Sequence, residues 1–110
     1  MKVYNKLVRD KIPQIIEEKG KKAEFRVLSD VEYRTMLDLK LHEELLEFIH
    51  ANEEDQVEEL ADLIEVVYAI LERKGVSIED FEKVRLAKKE KRGGFEEKLF
   101  LVGVEENDGR

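Results

Sequence analysis

Hydrophobic residues recur every three or four positions along most of this 110-residue chain, which is the spacing of helices that bury one side. Two long amphipathic stretches occupy the middle, one ending near Ala51 and the next covering residues 56–74. A shorter helix is predicted through residues 14–19, and a fourth follows Ser77. We therefore predict a mostly α fold, a helical bundle built on two long antiparallel helices with two shorter ones.

Capping residues mark the ends of the first two helices. Pro13 suits the first turn of the first helix, and Gly20 suits its end. Ser29, followed three residues later by Glu32, has the capping-box pattern that satisfies free backbone donors where a helix begins. The long second helix is expected to begin there.

The last two helices are bounded in the same way. Asn52 is expected to cap the third helix, which stops at Gly75. Ser77 is expected to cap the fourth, which runs into the basic residues 88–92 and ends at the glycine pair 93–94.

Two segments outside the helices have the character of strands. In residues 23–29, Phe25 and Val27 alternate with polar residues, and residues 98–104 are largely apolar. Pairing of the two segments predicts a small β element.

The third helix carries a wide apolar face made of two adjacent stripes. The stripes consist of Val57, Leu60, Ile64, Val67 and Leu71 and of Leu63, Val66 and Ile70. A face this wide needs more than one packing partner, so a homodimer or higher homo-oligomer is expected.

Composition narrows the class of protein. A hydrophobic fraction of 42% over 110 residues predicts a single domain spanning residues 1–110. A net charge of -7 disfavours nucleic acid as a partner. The chain has no cysteine, so thiol catalysis and thiolate metal sites are excluded. The sequence shows neither a signal peptide nor a membrane span, so we expect a cytoplasmic protein without a membrane partner.

Two carboxylates interrupt the apolar sides of the long helices. On a helical wheel, Glu44 projects about 20° from Leu37, and Glu59 projects about 20° from Val66. Such positions are normally apolar in a soluble helix. A carboxylate there needs a compensating partner.

Each of these carboxylates has a second acid one turn further on, Glu47 after Glu44 and Asp62 after Glu59. If the chain folds back near Glu53, antiparallel helices set Glu47 opposite Glu59 and Glu44 opposite Asp62. Four such carboxylates repel one another, and a divalent cation removes the conflict. Oxygen ligands suit Mg²⁺ or Mn²⁺, so we expect a Mg²⁺ site, with Mn²⁺ as the alternative, that serves phosphate chemistry.

Acid pairs of this spacing also arise as solvated surface charge, because the chain contains 27 Asp and Glu residues. Four acids are assigned to that surface: Asp55, Glu58, Glu65 and Glu72. His42 and His50 lie on other parts of the second helix and are not expected to bind metal. Two pairs that match across a hairpin and intrude on apolar faces favour a site.

The acidic pattern also resembles that of a known family. "EELLE" (43–47) followed by "EELAD" (58–62) resembles the EExxE…ExxD signature of the MazG-like, all-α nucleoside triphosphate pyrophosphohydrolases. "YNKLVRDKIPQII" (4–16) and "KRGGFEEKLFL" (91–101) resemble a subgroup called phosphoribosyl-ATP pyrophosphohydrolase-like. Together these segments cover most of the chain.

The resemblance implies Mg²⁺-dependent hydrolysis of a nucleoside triphosphate between its α and β phosphates, which yields a monophosphate and pyrophosphate. It implies that Glu44, Glu47, Glu59 and Asp62 are catalytic metal ligands. Glu43 is the candidate to orient or deprotonate the attacking water, with a plain exposed glutamate as the alternative.

A triphosphate also needs basic residues to bind it. Lys6 and Arg9 near the start of the chain, and Lys91 and Arg92 before the late glycine pair, are the candidates. Lys40 is placed to reach either the acids or the substrate. The alternative for Lys91 and Arg92 is a solvated helix end that favourably meets the helix dipole.

Three functions are compatible with these features. The leading hypothesis is a nucleoside triphosphate pyrophosphohydrolase that clears non-standard nucleotides. The alternatives are a phosphoribosyl-ATP pyrophosphohydrolase and, from another class, a non-catalytic helical interaction module or nucleotide sensor. No residue identifies the base or the sugar.

Overall fold

The computed structural model describes residues 2–105, and its regular structure is entirely helical. The described chain contains α1 (Ile12–Glu18), α2 (Asp30–His50), α3 (Gln56–Arg73) and α4 (Ile78–Arg92), with a 3₁₀ turn (Glu53–Asp55) between α2 and α3. The prediction of two long and two shorter helices is confirmed.

The chain divides into two compact units. The first ends at Val76 and contains α1, α2 and α3, and the second begins at Ser77 and contains α4. The prediction of a single domain spanning residues 1–110 stays a prediction. No helix among residues 2–105 has the length and apolar character needed to cross a membrane.

Helices α2 and α3 form an antiparallel hairpin. At its closed end the Gln56 side chain donates a hydrogen bond to the carbonyl oxygen of Phe48 at 3.3 Å. At its open end Arg73, the last residue of α3, lies 3.5 Å from Asp30, the first residue of α2. The chain therefore folds back near residue 53, as the sequence predicts.

The capping box at the start of α2 is confirmed. The Ser29 hydroxyl accepts a hydrogen bond from the Glu32 backbone N–H, and the Glu32 carboxylate accepts one from the Ser29 backbone N–H, each at 3.2 Å. Arg26 adds a 2.8 Å ion pair to the same carboxylate, and this ion pair, together with the Ser29 hydrogen bonds, lowers the pKa of Glu32 to about 2.

The start of α3 differs from the prediction that Asn52 caps it directly. The 3₁₀ turn intervenes, and Asp55 rather than Asn52 occupies the position before the helix. The Asp55 backbone N–H donates to the Asn52 carbonyl oxygen at 2.9 Å, which closes the tighter turn. The helix begins at Gln56, the first residue of the predicted stretch 56–74.

The predicted end of α3 is confirmed at Gly75. This glycine has a φ of 73°, a left-handed conformation that favours glycine. Its N–H donates to the Glu72 carbonyl at 3.0 Å, and the next N–H, of Val76, donates to Leu71 at 2.9 Å. Carbonyl oxygens in the last turn of α3 thus accept hydrogen bonds from the residues that follow the helix.

The predicted small β element is not formed within residues 2–105. Both segments assigned to it, 23–29 and 98–104, have irregular backbone. Most of their apolar side chains are open to solvent, with Val27 98% and Val102 93% exposed. Alternation alone does not make a strand, because an isolated pair of strands is marginal without a packed face.

The buried hydrophobic core of the described residues consists of Leu37 on α2 and Val66 on α3, which are 2% and 7% exposed. In the other apolar stripe of α3, Val57, Leu60 and Ile64 are 75%, 41% and 43% exposed, whereas Val67 and Leu71 are half-buried. The first half of this stripe is therefore open to solvent.

Candidate active site

Three carboxylates converge on the facing sides of the hairpin. Glu44 from α2 and Glu59 and Asp62 from α3, here called the carboxylate trio, each offer one oxygen, and these oxygens lie within 4.8 Å of one another. All three residues are half-buried, and the Glu44 side chain is only 13% exposed. The carboxylate that interrupts the apolar side of α2 thus faces two acids of the next helix.

Glu47, the fourth predicted ligand, is exposed and stands beside the carboxylate trio rather than within it. It lines an open cleft of about 480 Å³ together with Glu59. The other residues that line this acidic cleft are His50, Ala51, Asn52, Asp55 and Glu58. A ligand that enters the cleft meets Glu47 and Glu59 together.

The crowding of carboxylates in this arrangement affects the pKa of Glu59. Partial burial raises the pKa of the Glu59 carboxyl, and the negative charges of Glu47, Asp62, Glu44 and Asp55 raise this pKa further. Repulsion from four neighbouring acids makes the charged form of Glu59 less favourable than that of an isolated glutamate. A cation bound among these oxygens would relieve that repulsion.

Lys40 partly supplies such a positive charge from within α2. Its ammonium lies 2.9 Å from Glu43 and 3.4 Å from Glu44, one turn along the same helix. The Lys40 side chain is only 16% exposed, so this contact is held within the hairpin. Lys40 thus contacts the acids, and its role toward a substrate stays a prediction.

Glu43 faces lysines rather than the carboxylate trio. Desolvation raises its pKa, but the hydrogen bond and charge of Lys40 and the charge of Lys6 outweigh this effect, so the pKa of Glu43 is lowered overall. Lys6 lies 3.7 Å from the second carboxylate oxygen. Glu43 thereby joins the start of the chain to α2.

The segment before α1 brings a second cation to the site. The guanidinium of Arg9 donates a 2.7 Å hydrogen bond to Asp62, a member of the carboxylate trio. The Arg9 carbonyl oxygen accepts from the Ile12 N–H at 3.0 Å, where α1 begins. Lys6 also lies 5.6 Å from the centre of the Tyr4 ring. Two of the predicted substrate-binding cations therefore lie beside the acids.

Lys91 and Arg92 occupy the last turn of α4 in the second unit, and both are exposed. Basic residues here interact favourably with the negative end of the helix dipole. Gly93, with a φ of 81°, then ends the helix. The role of this pair toward a substrate stays a prediction.

Sequence patterns missed two neighbours of the site. Asp55 is exposed, as predicted for a surface acid, yet it lines the acidic cleft and helps to raise the pKa of Glu59. Its spacing of four residues before Glu59 is the signal that could have identified it. His50 lines the same cleft, although nothing in its spacing assigned it there.

The donor set fits a hard divalent cation. The carboxylate trio provides oxygen donors only, which is the chemistry that Mg²⁺ and Mn²⁺ prefer. The repulsion that raises the pKa of Glu59 favours binding of a positive charge beside this carboxylate. Arg9 and Lys6 lie beside the acids, and phosphate groups, which such cations bind, usually complete a Mg²⁺ shell.

The all-helical fold agrees with the MazG-like, all-α superfamily that the sequence resembles. Residues 8–88 match the family model for phosphoribosyl-ATP pyrophosphohydrolase, and the chain belongs to this family. The match extends across the boundary between the two units and includes every member of the carboxylate trio. The family resemblance seen in the sequence is thus confirmed.

A curated relative covers part of the chain. A 49-residue segment is 47% identical to an uncharacterized protein of Mycolicibacterium smegmatis (strain ATCC 700084 / mc(2)155). The aligned segment spans 44% of this chain and half the length of that protein. No solved structure matches the chain significantly.

Proposed function

We propose that the chain hydrolyses nucleoside triphosphates between the α and β phosphates in a Mg²⁺-dependent reaction, and that its cellular role is to clear non-standard nucleotides from the cytoplasm. The observation that carries the proposal is the convergence of Glu44, Glu59 and Asp62 within 4.8 Å across the hairpin. Membership of a pyrophosphohydrolase family supports the reaction class. The net charge of -7 supports a small-molecule substrate rather than nucleic acid.

In this proposal the carboxylate trio would hold Mg²⁺, or Mn²⁺ in its place, and Glu47 would contribute from the acidic cleft. When bound, the ion supplies neutralisation of phosphate charge and a lowered pKa for the attacking water. In the absence of metal, the negative charge of these acids repels a bare triphosphate. Nucleotide and cation are therefore expected to bind together.

The basic residues would bind the phosphates. Arg9 offers a planar pair of donors that matches two phosphate oxygens, and Lys6 offers a point charge beside it. Lys40 is held against the acids, so it orients Glu44 and tempers the negative charge there. Lys91 and Arg92 of the second unit are proposed as further phosphate contacts.

The reaction adds water across the α–β anhydride. One phosphorus gains the water's hydroxyl, the other keeps the bridging oxygen, and the remaining proton leaves to a base. Glu43 is proposed to serve this water, directly as the proton acceptor or by orienting it through Lys6 and Lys40. Its two lysine contacts favour the orienting role, because they occupy the oxygens that would take the proton.

The second candidate substrate is phosphoribosyl-ATP, and the description of the family favours it. The same anhydride is cleaved in both cases, so the hairpin chemistry is common to the two. They differ in what surrounds the phosphates. For phosphoribosyl-ATP the chain would have to contact an additional ribose phosphate. For non-standard nucleotides it would have to accept a variety of bases.

A second copy of the chain is the proposed partner. Val57, Leu60 and Ile64 form an exposed apolar stripe on α3, and Leu39 and Ile49 of α2 are 57% and 55% exposed. Covering such residues removes apolar surface from water and is favourable. We therefore propose a homodimer or higher homo-oligomer.

A substrate panel tests the proposal. Standard nucleoside triphosphates, oxidised or deaminated ones, and phosphoribosyl-ATP are each incubated with Mg²⁺, and released pyrophosphate is measured. We expect turnover of triphosphates by the wild type, none by Glu59→Gln, and full turnover by the exposed control Glu65→Gln. Turnover of phosphoribosyl-ATP alone selects the second candidate. If neither the wild type nor Glu59→Gln releases pyrophosphate from any substrate, with or without Mg²⁺, the chain is a non-catalytic interaction module.

A further inference from the structure

Arg9 binds a residue that the proposed function assigns to the metal. Its guanidinium donates to the Asp62 carboxylate at 2.7 Å, and Asp62 is one of the carboxylate trio. We propose that Arg9 is an exchange residue, which holds Asp62 while the site is free of metal and transfers to a substrate phosphate when the cation binds. This inference deepens the proposed function and depends on metal binding by the carboxylate trio.

The exposure of the pair makes the exchange possible. The Arg9 side chain is 56% exposed and that of Asp62 is 45% exposed, so solvent can replace either partner. Exposed ion pairs contribute little to folding, and the guanidinium can leave without unfolding the hairpin. Residues 2–9 form neither helix nor strand, so no regular structure holds the arginine in place.

The other cations of the site differ from Arg9 in this respect. Lys40 contacts Glu44 from within the hairpin and is only 16% exposed, so its position is held. Lys6 contacts Glu43, which is outside the carboxylate trio. Of the basic groups that pair with the trio in the described chain, Arg9 is the one placed to exchange.

Two opposite effects on affinity follow. Before substrate arrives, Arg9 competes with a divalent cation for Asp62 and repels it, so Arg9 weakens binding of the cation alone. Once phosphate is present, the guanidinium has a better acceptor and Asp62 is released. Binding of cation and triphosphate then becomes mutually favourable, and linkage requires that each increase the affinity of the other by the same factor.

Calorimetric titration of the full chain with Mg²⁺ alone tests the exchange without any turnover. Arg9→Gln is expected to bind Mg²⁺ about two- to fivefold more tightly than the wild type, the range expected for loss of an exposed competing ion pair. Lys11→Gln is the matched control, because it removes the same charge from an exposed residue of the same segment. It should leave the Mg²⁺ affinity unchanged.

A second titration uses an α,β-methylene nucleoside triphosphate, which is not cleaved, with Mg²⁺ in excess. Arg9→Gln is expected to bind this analogue about tenfold more weakly, as for loss of a hydrogen bond between charged groups. Arg9→Lys should restore part of this affinity. An unchanged or weaker Mg²⁺ affinity in Arg9→Gln overturns the exchange, even if the enzyme is active. Tighter Mg²⁺ binding upholds competition for Asp62 even if no triphosphate is hydrolysed, which separates this inference from the proposed function.

Discussion

Glu44 of α2 and Asp62 of α3 present carboxylate oxygens within 4.8 Å of each other across the hairpin. No covalent or backbone constraint requires two acids to meet there, and their mutual repulsion opposes it. Lys40 beside Glu44 and Arg9 beside Asp62 offset part of this repulsion. We propose that a divalent cation offsets the rest, which makes the free energy of unfolding dependent on metal.

The first prediction concerns Glu59. Because its pKa is raised, the native chain holds that proton more tightly than the unfolded chain does. The associated stability is fully present below the ordinary value of 4.5 and is lost as pH rises through the raised native pKa. Glu59→Gln does not undergo this loss of stability, so its metal-free Tm should exceed that of the wild type at pH 7. The difference between the two Tm values should grow as pH rises from 4.5 through the raised native pKa.

Mg²⁺ should reverse the order of the Tm values of the wild type and Glu59→Gln. Mg²⁺ should raise the Tm of the wild type and of Glu65→Gln, an exposed control on the same helix, while Glu59→Gln should respond weakly. Thermal unfolding followed by circular dichroism, with and without Mg²⁺, measures both effects. An equal response to Mg²⁺ in the three proteins would remove Glu59 from the metal site.

The second prediction concerns the cap of α2. The Arg26 ion pair and the Ser29 hydrogen bonds lower the pKa of Glu32 to about 2 from 4.5. The stability they provide is therefore present above 4.5 and is lost as pH falls through about 2. Glu32→Gln should unfold at lower denaturant concentration than the wild type at pH 7 and at the same concentration near pH 2.

Ser29→Ala tests the other half of this capping box. It should cost about 1 kcal/mol at neutral pH, the usual loss for an N-cap hydroxyl. Glu24→Gln serves as the control, because it removes one exposed charge from the preceding segment. Urea unfolding at several pH values gives the comparison, and a pH-independent difference between Glu32→Gln and wild type would contradict the proposed origin of the effect.

The sequence was sufficient to predict the hairpin and the convergence of Glu44, Glu59 and Asp62, because both depend on periodicity. A helix turns by about 100° per residue, so the positions of Glu44 and Glu59 among apolar residues placed them on the packed sides. The equal distances of Glu44 and Asp62 from the bend then aligned them. The local capping signals at Ser29 and Gly75 were equally informative, since they depend on neighbouring residues only.

Contacts that depend on irregular backbone could not be predicted. Residues 2–9 have no repeating geometry, so no sequence pattern could place Arg9 against Asp62. The alternation at Phe25 and Val27 predicted a strand, but a strand needs a neighbour that alternation does not specify. The 3₁₀ turn after Asn52 is a further example, because its tighter hydrogen bonding competes closely with a direct helix start.

The third prediction concerns assembly. If the exposed stripe of α3 packs against a second copy, the wild type should sediment at twice the chain mass or more. Ile64→Ser should weaken this association at least tenfold, because burial of each isoleucine contributes more than about 1.4 kcal/mol. Val31→Ser removes another exposed branched residue near the start of α2 and should leave association unchanged. A monomeric wild type at all concentrations would contradict the proposed oligomer.

The fourth prediction concerns the basic end of α4. Arg92→Gln should raise KM about tenfold if this guanidinium binds a substrate phosphate, because a charged hydrogen bond is lost. Lys88→Gln on the same helix is the matched control and should leave KM unchanged, since it also removes one exposed positive charge. Neither variant should alter the rise in Tm caused by Mg²⁺. Equal KM values for both variants and the wild type would mean that Arg92 does not bind the substrate and only interacts with the helix dipole.

The fifth prediction concerns the bond that is cleaved, and ³¹P NMR of the reaction mixture is the most direct test of the proposed reaction. The preferred nucleotide of the panel is incubated with Mg²⁺ and the wild type, Glu59→Gln or Glu65→Gln. We expect a nucleoside monophosphate and pyrophosphate in equal amounts from the wild type and Glu65→Gln, and unchanged substrate with Glu59→Gln. A diphosphate with orthophosphate, or equal turnover by Glu59→Gln, would contradict it.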